Sequence, residues 1–115
     1  MAGTLREINL EAGMPYADAA IRRLTYELER SRAGGVAILK IIHGYGSSGK
    51  GGRIRTEARA YLERLKKRRG IKNLIPGERF SIFDADTRSA FLLCGALRRD
   101  SDLERHNNGV TFIIL

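Results

Sequence analysis

Apolar residues follow two different periods along this chain, and the two periods separate strands from helices. Residues 36–42 (Val-Ala-Ile-Leu-Lys-Ile-Ile) are almost continuously apolar and β-branched, with Lys40 as the single charge. This pattern is typical of a central strand covered on both faces. Residues 5–10 alternate, with Ile8 and Leu10 on one face, and predict a short strand. Three further strands are predicted at residues 71–75, 80–83 and 110–115.

Apolar residues that recur every three or four positions predict three helices between these strands. The first begins near Pro15, whose fixed φ suits a first helical turn. The second spans residues 53–69, and the third spans residues 84–97 with Asp84 as its N-cap. The apolar stripes of the first two helices consist of Ala17, Ile21, Leu24, Leu28, Ile54, Ala58, Tyr61, Leu62 and Leu65.

The order of these elements predicts an α/β fold in one domain, residues 1–115. Strands that alternate with helices form right-handed crossovers and parallel strand pairs. A chain of 115 residues has the usual size of one domain and can bury a core without disulfides. The sequence contains no internal repeat, low-complexity tract or linker that would divide it.

The chain carries a strong positive charge. Lys and Arg total 21 against 13 Asp and Glu, which gives a formal net charge of +8 and an isoelectric point near 10.3. Such a surface attracts polyanions and releases counterions when it neutralises phosphates. Nucleic acid is the commonest partner of this kind, although a basic protein without such a partner has the same composition.

The single cysteine, Cys94, lies in an apolar run at residues 90–94, which favours a buried structural thiol. One cysteine forms neither an internal disulfide nor a cysteine-based zinc site. The N-terminus has no basic region followed by an apolar run, and no apolar stretch is long enough to span a membrane. We therefore expect a cytoplasmic protein without a membrane partner.

A glycine-rich loop, residues 43–52, joins the central strand to the second helix. Glycine amides beside a helix N-terminus can bind an anion, and Lys50 and Arg53 add positive charge there. The alternative is a flexible turn that binds nothing.

Residues 44–50 approach the nucleotide-binding P-loop pattern, but Gly51 replaces the hydroxyl residue that would bind magnesium. Nucleotide hydrolysis is therefore disfavoured.

Three features together resemble the small MutS-related (Smr) domain over most of the chain. They are His43-Gly44-Tyr45-Gly46 after an apolar strand, Gly49-Lys50, and residues 108–115 (Asn-Gly-Val-Thr-Phe-Ile-Ile-Leu). The resemblance implies a mixed sheet of about four strands in a βαβαββ-like two-layer sandwich, similar to the C-terminal domain of bacterial translation initiation factor three. The helix at residues 84–97 is an addition before the last strand. Proteins of this family bind branched or structured DNA or RNA, and some cut it.

The resemblance also directs attention to residues for phosphodiester cleavage. The family motif Leu-Asp-x-His corresponds here to Ile8-Asn9-Leu10-Glu11, so an amide replaces the carboxylate and a carboxylate replaces the imidazole. His43 and Glu11 are the candidate catalytic residues, because imidazole titrates near neutrality and a carboxylate accepts a proton or contacts a divalent metal. Weak endonuclease activity, with a divalent metal, therefore stays open.

The second histidine and a group of three acidic residues are interpreted as surface positions. His106 could share acid and base roles with His43, but a polar loop residue is the simpler interpretation. Asp100, Asp102 and Glu104 are predicted to be an exposed polar loop rather than a metal site.

Nucleic-acid binding is assigned to the glycine-rich loop and the second helix. Cations on that helix track phosphates, or they only complement the helix dipole near its C-terminus. Tyr45 stacks on an unpaired base, or it packs back on the domain. We expect Arg55 and Arg59 to face solvent. The predicted binding residues are Gly44, Tyr45, Gly46, Ser47, Ser48, Gly49, Lys50, Arg53, Arg55 and Arg59.

A module that binds DNA or RNA is the first functional hypothesis. The second is a ribosome-associated or protein-interaction module, and the third is a small phosphate-ester hydrolase that holds its substrate in the loop. Binding to free nucleic acid that weakens steeply with salt supports the first hypothesis. Co-sedimentation with ribosomes supports the second, and saturable phosphate binding without polymer binding supports the third.

Overall fold

Helices and strands alternate through the first three strands, and a helical segment precedes the last one. A computed structural model of the protein describes residues 3–46 and 51–115. In chain order, its elements are β1 (Thr4–Asn9), α1 (Ala17–Ala33), β2 (Val36–Ile42), α2 (Gly51–Lys67), β3 (Asn73–Pro76), α3 (Ala85–Leu93) and β4 (Val110–Ile114). Two short 3-10 helices, Gly77–Arg79 and Gly95–Arg99, flank α3.

The last strand, β4, lies between β2 and β3. The strand order is β1-β2-β4-β3, with β1 parallel to β2 and β4 antiparallel to both of its neighbours. The result is a mixed four-stranded sheet, which confirms the predicted α/β fold class and the βαβαββ-like order. All five residues of β4 are buried, as an interior strand with neighbours on both edges requires.

Both long helices, α1 and α2, pack on one face of the sheet. Their predicted apolar stripes are confirmed, because the buried residues of each helix recur at helical spacing. A hydrogen bond of 2.8 Å between Thr25 Oγ1 and the Tyr61 hydroxyl joins the two helices. The first hydrophobic core, on this face, includes Ala20, Leu24, Leu28, Ile54, Ala58, Leu62, Leu39, Ile41 and Ile113.

The segment between β3 and β4 covers the opposite face of the sheet. Its Phe80 ring lies 4.1 Å, centroid to centroid, from the Phe112 ring of β4. Cys94 is buried in the same region, as its apolar surroundings predict. The added helix therefore forms a layer of its own, and β2 is covered on both faces. The second core consists of Ile38, Ile75, Phe80, Ala90, Phe91, Cys94, Leu97, Val110, Phe112 and Ile114.

The predicted strand at residues 80–83 is wrong. Phe80 follows the first 3-10 helix and the next residues turn toward α3. The reason is that β4 occupies the place beside β3, while the Phe80 side chain fills the second core. Asp84 then caps α3 as predicted, since its Oδ2 accepts a hydrogen bond of 2.9 Å from the Thr87 amide.

Helix boundaries differ from prediction by a few residues. The chain leaves α3 at Leu93 rather than at residue 97, because Cys94 is extended (φ −148°) and turns into the core. Pro15 precedes the N-cap of α1, Tyr16, instead of lying in the first turn. Such shifts are usual at helix ends, where the backbone hydrogen bonds are incomplete.

Among the residues that the structure describes, no helix has the length and apolarity to cross a membrane.

A buried ion cluster attaches the segment after the second 3-10 helix to the sheet. Lys40 of β2 is 3% exposed. Its Nζ lies 2.9 Å from Asp100 Oδ1, 2.6 Å from Asp102 Oδ2 and 3.5 Å from Glu7 Oε1. The prediction that Asp100 and Asp102 belong to an exposed polar loop is therefore wrong, because their side chains are only 7% and 17% exposed.

The carboxylates keep Lys40 charged in spite of its burial. Desolvation by itself lowers the pKa of Lys40, but hydrogen bonds with Asp102 and Asp100 outweigh it and raise that pKa above its usual range. Conversely, burial raises the pKa of Asp102, and hydrogen bonds from Lys40 and Asn107 lower it by more. Both partners are therefore ionised at neutral pH, and neither charge is left uncompensated.

We predict that Lys40→Ala lowers the free energy of unfolding by about 3–5 kcal/mol, because the substitution leaves buried carboxylates without a counter-charge. Urea unfolding measures the loss. The control is Arg22→Ala, which breaks an ion pair between two side chains that are both more than 70% exposed and should leave stability nearly unchanged. Equal effects of the two substitutions would show that the Lys40 cluster does not hold the second layer.

Candidate nucleic-acid interface

The chain that leaves β2 is fixed to the start of β4. The amides of His43 and Gly44 both donate hydrogen bonds to the Gly109 carbonyl, at 2.9 and 3.0 Å. Gly44 has a positive φ of 72°, and a side chain at this position would overlap the Glu11 carboxylate. Glycine is required here for both reasons. The structure therefore brings Glu11 against the loop that carries His43.

His43 is fully buried and both of its ring nitrogens are engaged. Nδ1 donates to the Gly44 carbonyl at 2.7 Å, which fixes the tautomer. Nε2 must then accept from the Thr111 hydroxyl, which lies 2.8 Å away. Burial lowers the pKa of His43 to about 4, with a smaller contribution from the positive charges of Arg59 and Arg55. The imidazole is therefore neutral at pH 7 and holds the base of the loop.

Arg59 does not face solvent, so the prediction of an exposed cation is wrong for this residue. Its guanidinium binds both oxygens of Glu78, at 2.8 and 2.7 Å. Its Nε also donates to Thr111 Oγ1 at 3.2 Å, and its side chain is 19% exposed. The sequence pattern of α2 could not show this, because the carboxylate that neutralises Arg59 comes from the turn after β3. Arg59 thereby continues the network that begins at His43.

Glu78 stays ionised in this pair. Burial raises the pKa of Glu78, but the hydrogen bonds from Arg59 lower it by more, so the net shift is downward. Arg55 lies close enough to lower the pKa values of both Glu78 and His43. Arg55 is half-buried, and its charge thus acts at the base of the loop.

Tyr45 projects from the loop beside the first turn of α2. Its side chain is 57% exposed, and the inner edge of its ring contacts Gly109. The backbones of Gly46 and Gly52 approach so closely that a Cβ on Gly46 would lie 3.2 Å from Gly52 Cα. The two ends of the glycine-rich segment therefore meet at the N-terminus of α2. The predicted binding residues Ser47, Ser48, Gly49 and Lys50 lie outside the described residues.

The cations of α2 form two flanks rather than one broad face. The first turn contains no acidic residue, so the positive end of the helix dipole is not neutralised there by a local carboxylate. Arg53 is 79% exposed, and its Nε lies 3.6 Å from Glu57 Oε2. Helical periodicity places Arg55, Arg59 and Lys66 on one flank. It places Arg53, Arg64 and Lys67 on the other.

The candidate catalytic groups are not assembled into an acid–base pair. His106 is exposed and its Nδ1 lies 3.3 Å from the Glu78 carbonyl, whereas His43 bonds to Gly44 and Thr111. No group of three or more His, Cys, Asp or Glu side chains within residues 3–46 and 51–115 could hold a metal ion. We therefore derive no metal-dependent step.

Sequence reasoning missed two members of the network, Thr111 and Glu78. Thr111 could have been noticed, because it is the one hydroxyl residue in the apolar terminal run of residues 110–115. Glu78 gives no local signal, since its partner Arg59 is 19 residues away in the chain.

Comparisons with protein-family models, with curated proteins and with solved structures found no match.

We predict that His43 makes stability depend on pH between about 4 and 6.5. Its pKa is about 4 in the folded chain against an ordinary value of 6.5, so the unfolded chain binds more protons in this range. Stability should therefore fall by about 3 kcal/mol as pH drops from 6.5 to 4. Urea unfolding at several pH values measures the slope.

The controls for this prediction are two histidine substitutions. His43→Asn should remove the slope that His43 contributes, whereas His106→Asn, at the exposed histidine, should keep the slope of the parent protein. An unchanged slope in His43→Asn would contradict the assignment.

Proposed function

We propose that the protein binds nucleic acid through the loop after β2 and the N-terminal half of α2. The observation that carries this function is an exposed aromatic ring, Tyr45, beside a helix N-terminus that has no acidic residue and carries an exposed Arg53. An aromatic face can stack on a base, while a cation and the positive end of a helix dipole attract a phosphate. A base and a phosphate are both parts of every nucleotide, so the two protein features together suit a nucleic acid.

The charge distribution supports the same function. The net charge of +8 attracts polyanions from a distance, and the two cationic flanks of α2 extend from the loop end of the helix to its last turn. A helix of 17 residues is roughly 25 Å long, so its cations can reach several successive phosphates. Such contacts provide affinity and orientation without reading base identity.

The network below the loop gives the interface its shape. His43, Thr111, Arg59 and Glu78 form a continuous chain of hydrogen bonds from the loop to α2 and to the turn after β3. We assign them a positioning role, because their polar atoms are occupied by one another. Of the three arginines predicted to bind, Arg53 and Arg55 therefore keep that role in our proposal and Arg59 does not.

We do not extend the proposed function to phosphodiester cleavage. A general base needs a lone pair that reaches the substrate, and the two ring nitrogens of His43 are engaged inside the protein. Glu11 presents a carboxylate against Gly44, and among the described residues it belongs to no group of three or more His, Cys, Asp or Glu side chains that could hold a metal ion. Binding is the activity that this arrangement supports best.

We predict that the double variant Arg53→Ala, Arg55→Ala binds DNA and RNA of any sequence more weakly than the parent protein. Each lost phosphate contact should also reduce the slope of log affinity against log salt by about one. Fluorescence anisotropy with labelled single strands, duplexes and branched junctions, over a range of salt concentrations, measures both quantities.

The matched control for this prediction is Lys72→Ala, Arg99→Ala. It also removes two positive charges, both from exposed positions. Lys72 directly precedes β3, and Arg99 lies in the α3 layer. If the control and the double variant lose affinity equally, net charge rather than this surface accounts for binding. Binding only to ribosomes, with no affinity for any free strand, would instead favour the ribosome-associated alternative.

We predict that Tyr45→Ala weakens binding to single strands and loops about tenfold, because one base–aromatic stack is lost. Tyr45→Phe should keep the affinity, since the ring face is preserved, and affinity for blunt duplexes should change little. Tyr26→Ala removes an equally exposed tyrosine from α1 (60% exposed) and serves as the control. Equal losses for single strands and duplexes in Tyr45→Ala would contradict stacking.

A further inference from the structure

The outer surface of the α3 layer exposes four large apolar side chains. Phe83 and Leu92 are each 84% exposed, Ile82 is 49% exposed and Leu93 is 44% exposed. Single exposed apolar residues are ordinary, but neighbouring ones that share a groove mark interaction surfaces. This group lies at the two ends of one short helix, and none of the four side chains belongs to either hydrophobic core.

A groove of about 470 Å³ lies beside two of these side chains, those of Ile82 and Leu92. Ile82, Ala85 and Leu92 line it, and the edge of the buried Phe91 ring forms part of its floor. The groove is therefore apolar at its centre and large enough to receive one or two side chains of a partner. This is the arrangement that binds an amphipathic segment, whose apolar residues enter a groove at helical spacing.

The rim of the groove is positively charged. Arg88 and Arg98 line it, and the Arg98 guanidinium lies 4.7 Å from the centroid of the Phe91 ring. Arg88 donates to the Ile82 carbonyl. Within the described parts of the chain, neither guanidinium forms an ion pair with a carboxylate. Both charges are thus available to an incoming anion.

The acidic residues near the groove are already occupied within the domain. Asp84 caps α3 through the Thr87 amide, and Asp86 lies 2.8 Å from a guanidinium nitrogen of Arg79. Glu104 accepts a hydrogen bond of 2.7 Å from the Ile82 amide. None of these three carboxylates lines the groove, whose two charged lining residues are both arginines, so a partner segment that complements the rim is acidic.

We propose that this groove docks an acidic, amphipathic segment of another protein. A second copy of the chain fits poorly, because it brings a net charge of +8 and the same two arginines to the contact. Nucleic acid fits poorly as well, since the groove centre is mainly aliphatic and offers one ring edge rather than an open stacking face. A peptide with Leu or Phe anchors and flanking Glu or Asp satisfies both the apolar centre and the cationic rim.

The groove and the interface around Tyr45 lie on opposite faces of the sheet. The groove belongs to the layer built on the second core, whereas α2 belongs to the layer built on the first. A protein segment and a nucleic acid can therefore be bound at the same time. The docking surface does not depend on the proposed nucleic-acid function, because no residue is shared between them.

A library of random 12-residue peptides displayed on phage tests this surface directly. Selection against the whole protein should enrich sequences that combine acidic residues with Leu, Ile, Phe or Met at spacings of three or four. Synthetic copies of the enriched peptides should bind at least about tenfold more weakly to Ile82→Ser and to Leu92→Ser, because both side chains line the groove. Both side chains are exposed, so the fold should tolerate each change.

The remaining variants separate apolar docking from charge. Arg88→Glu with Arg98→Glu should repel the same peptides, whereas Tyr26→Ser, at an exposed aromatic position on α1, should bind them like the parent protein. Circular dichroism and urea unfolding confirm that each variant is folded. Enrichment of basic or wholly polar peptides, or equal binding to Leu92→Ser, would overturn the proposal.

Two other occupants give distinct results that would also overturn it. If the patch joins two copies of this chain, sedimentation at increasing concentration shows a dimer that Leu92→Ser abolishes. If the patch meets a lipid surface, the protein binds phosphatidylglycerol vesicles and Phe83→Ser does not. The proposal of an acidic peptide partner requires that the protein shows neither this dimer nor this vesicle binding, and that peptide binding depends on Ile82 and Leu92.

Discussion

The position of β4 between β2 and β3 is the constraint on which the rest of the structure depends. Because this strand is paired on both edges and buried on both faces, each of its side chains has a fixed neighbour. Ile113 enters the first core and Phe112 enters the second. Thr111, on the helical side, reaches His43 and Arg59. One strand thus connects two hydrophobic cores to the polar network that shapes the loop.

Location in the fold decides what each cation does. Lys40, on an interior strand, is enclosed with carboxylates and attaches the second layer to the sheet. Arg59, at the junction of α2 with β4, is neutralised by Glu78 and braces the loop. Arg53, six residues before Arg59 on α2, is 79% exposed, with Glu57 as its ion-pair partner. The three residues carry the same charge, but only Arg53 presents it at the surface to a polyanion, since Lys40 and Arg59 lie mostly away from solvent with their carboxylate partners.

The sheet also separates the two surfaces that we regard as functional. Residues on alternate sides of β2 and β4 build the two cores, so the layer of α1 and α2 and the layer of α3 share only the strands between them. Each layer therefore exposes an outer surface of its own. The basic loop and helix offer aromatic and cationic groups, whereas the α3 layer offers an apolar groove with an arginine rim. Separation of this kind suits a protein that connects two partners.

The sequence by itself determined the α/β class, the apolar stripes of α1 and α2, the buried strand β2 and the burial of Cys94, because hydrophobic periodicity is local and matches the period of each element. It also singled out the loop after β2, since consecutive glycines are visible without a structure. Only the tertiary structure decided that residues 80–83 turn into the core, that Asp100 and Asp102 enclose Lys40, and that Glu78 removes Arg59 from the surface. Those outcomes depend on partners 19 to 62 positions away (Lys40 to Asp102 is 102 − 40 = 62), and a pairing of charges across such distances leaves no periodic trace in the chain.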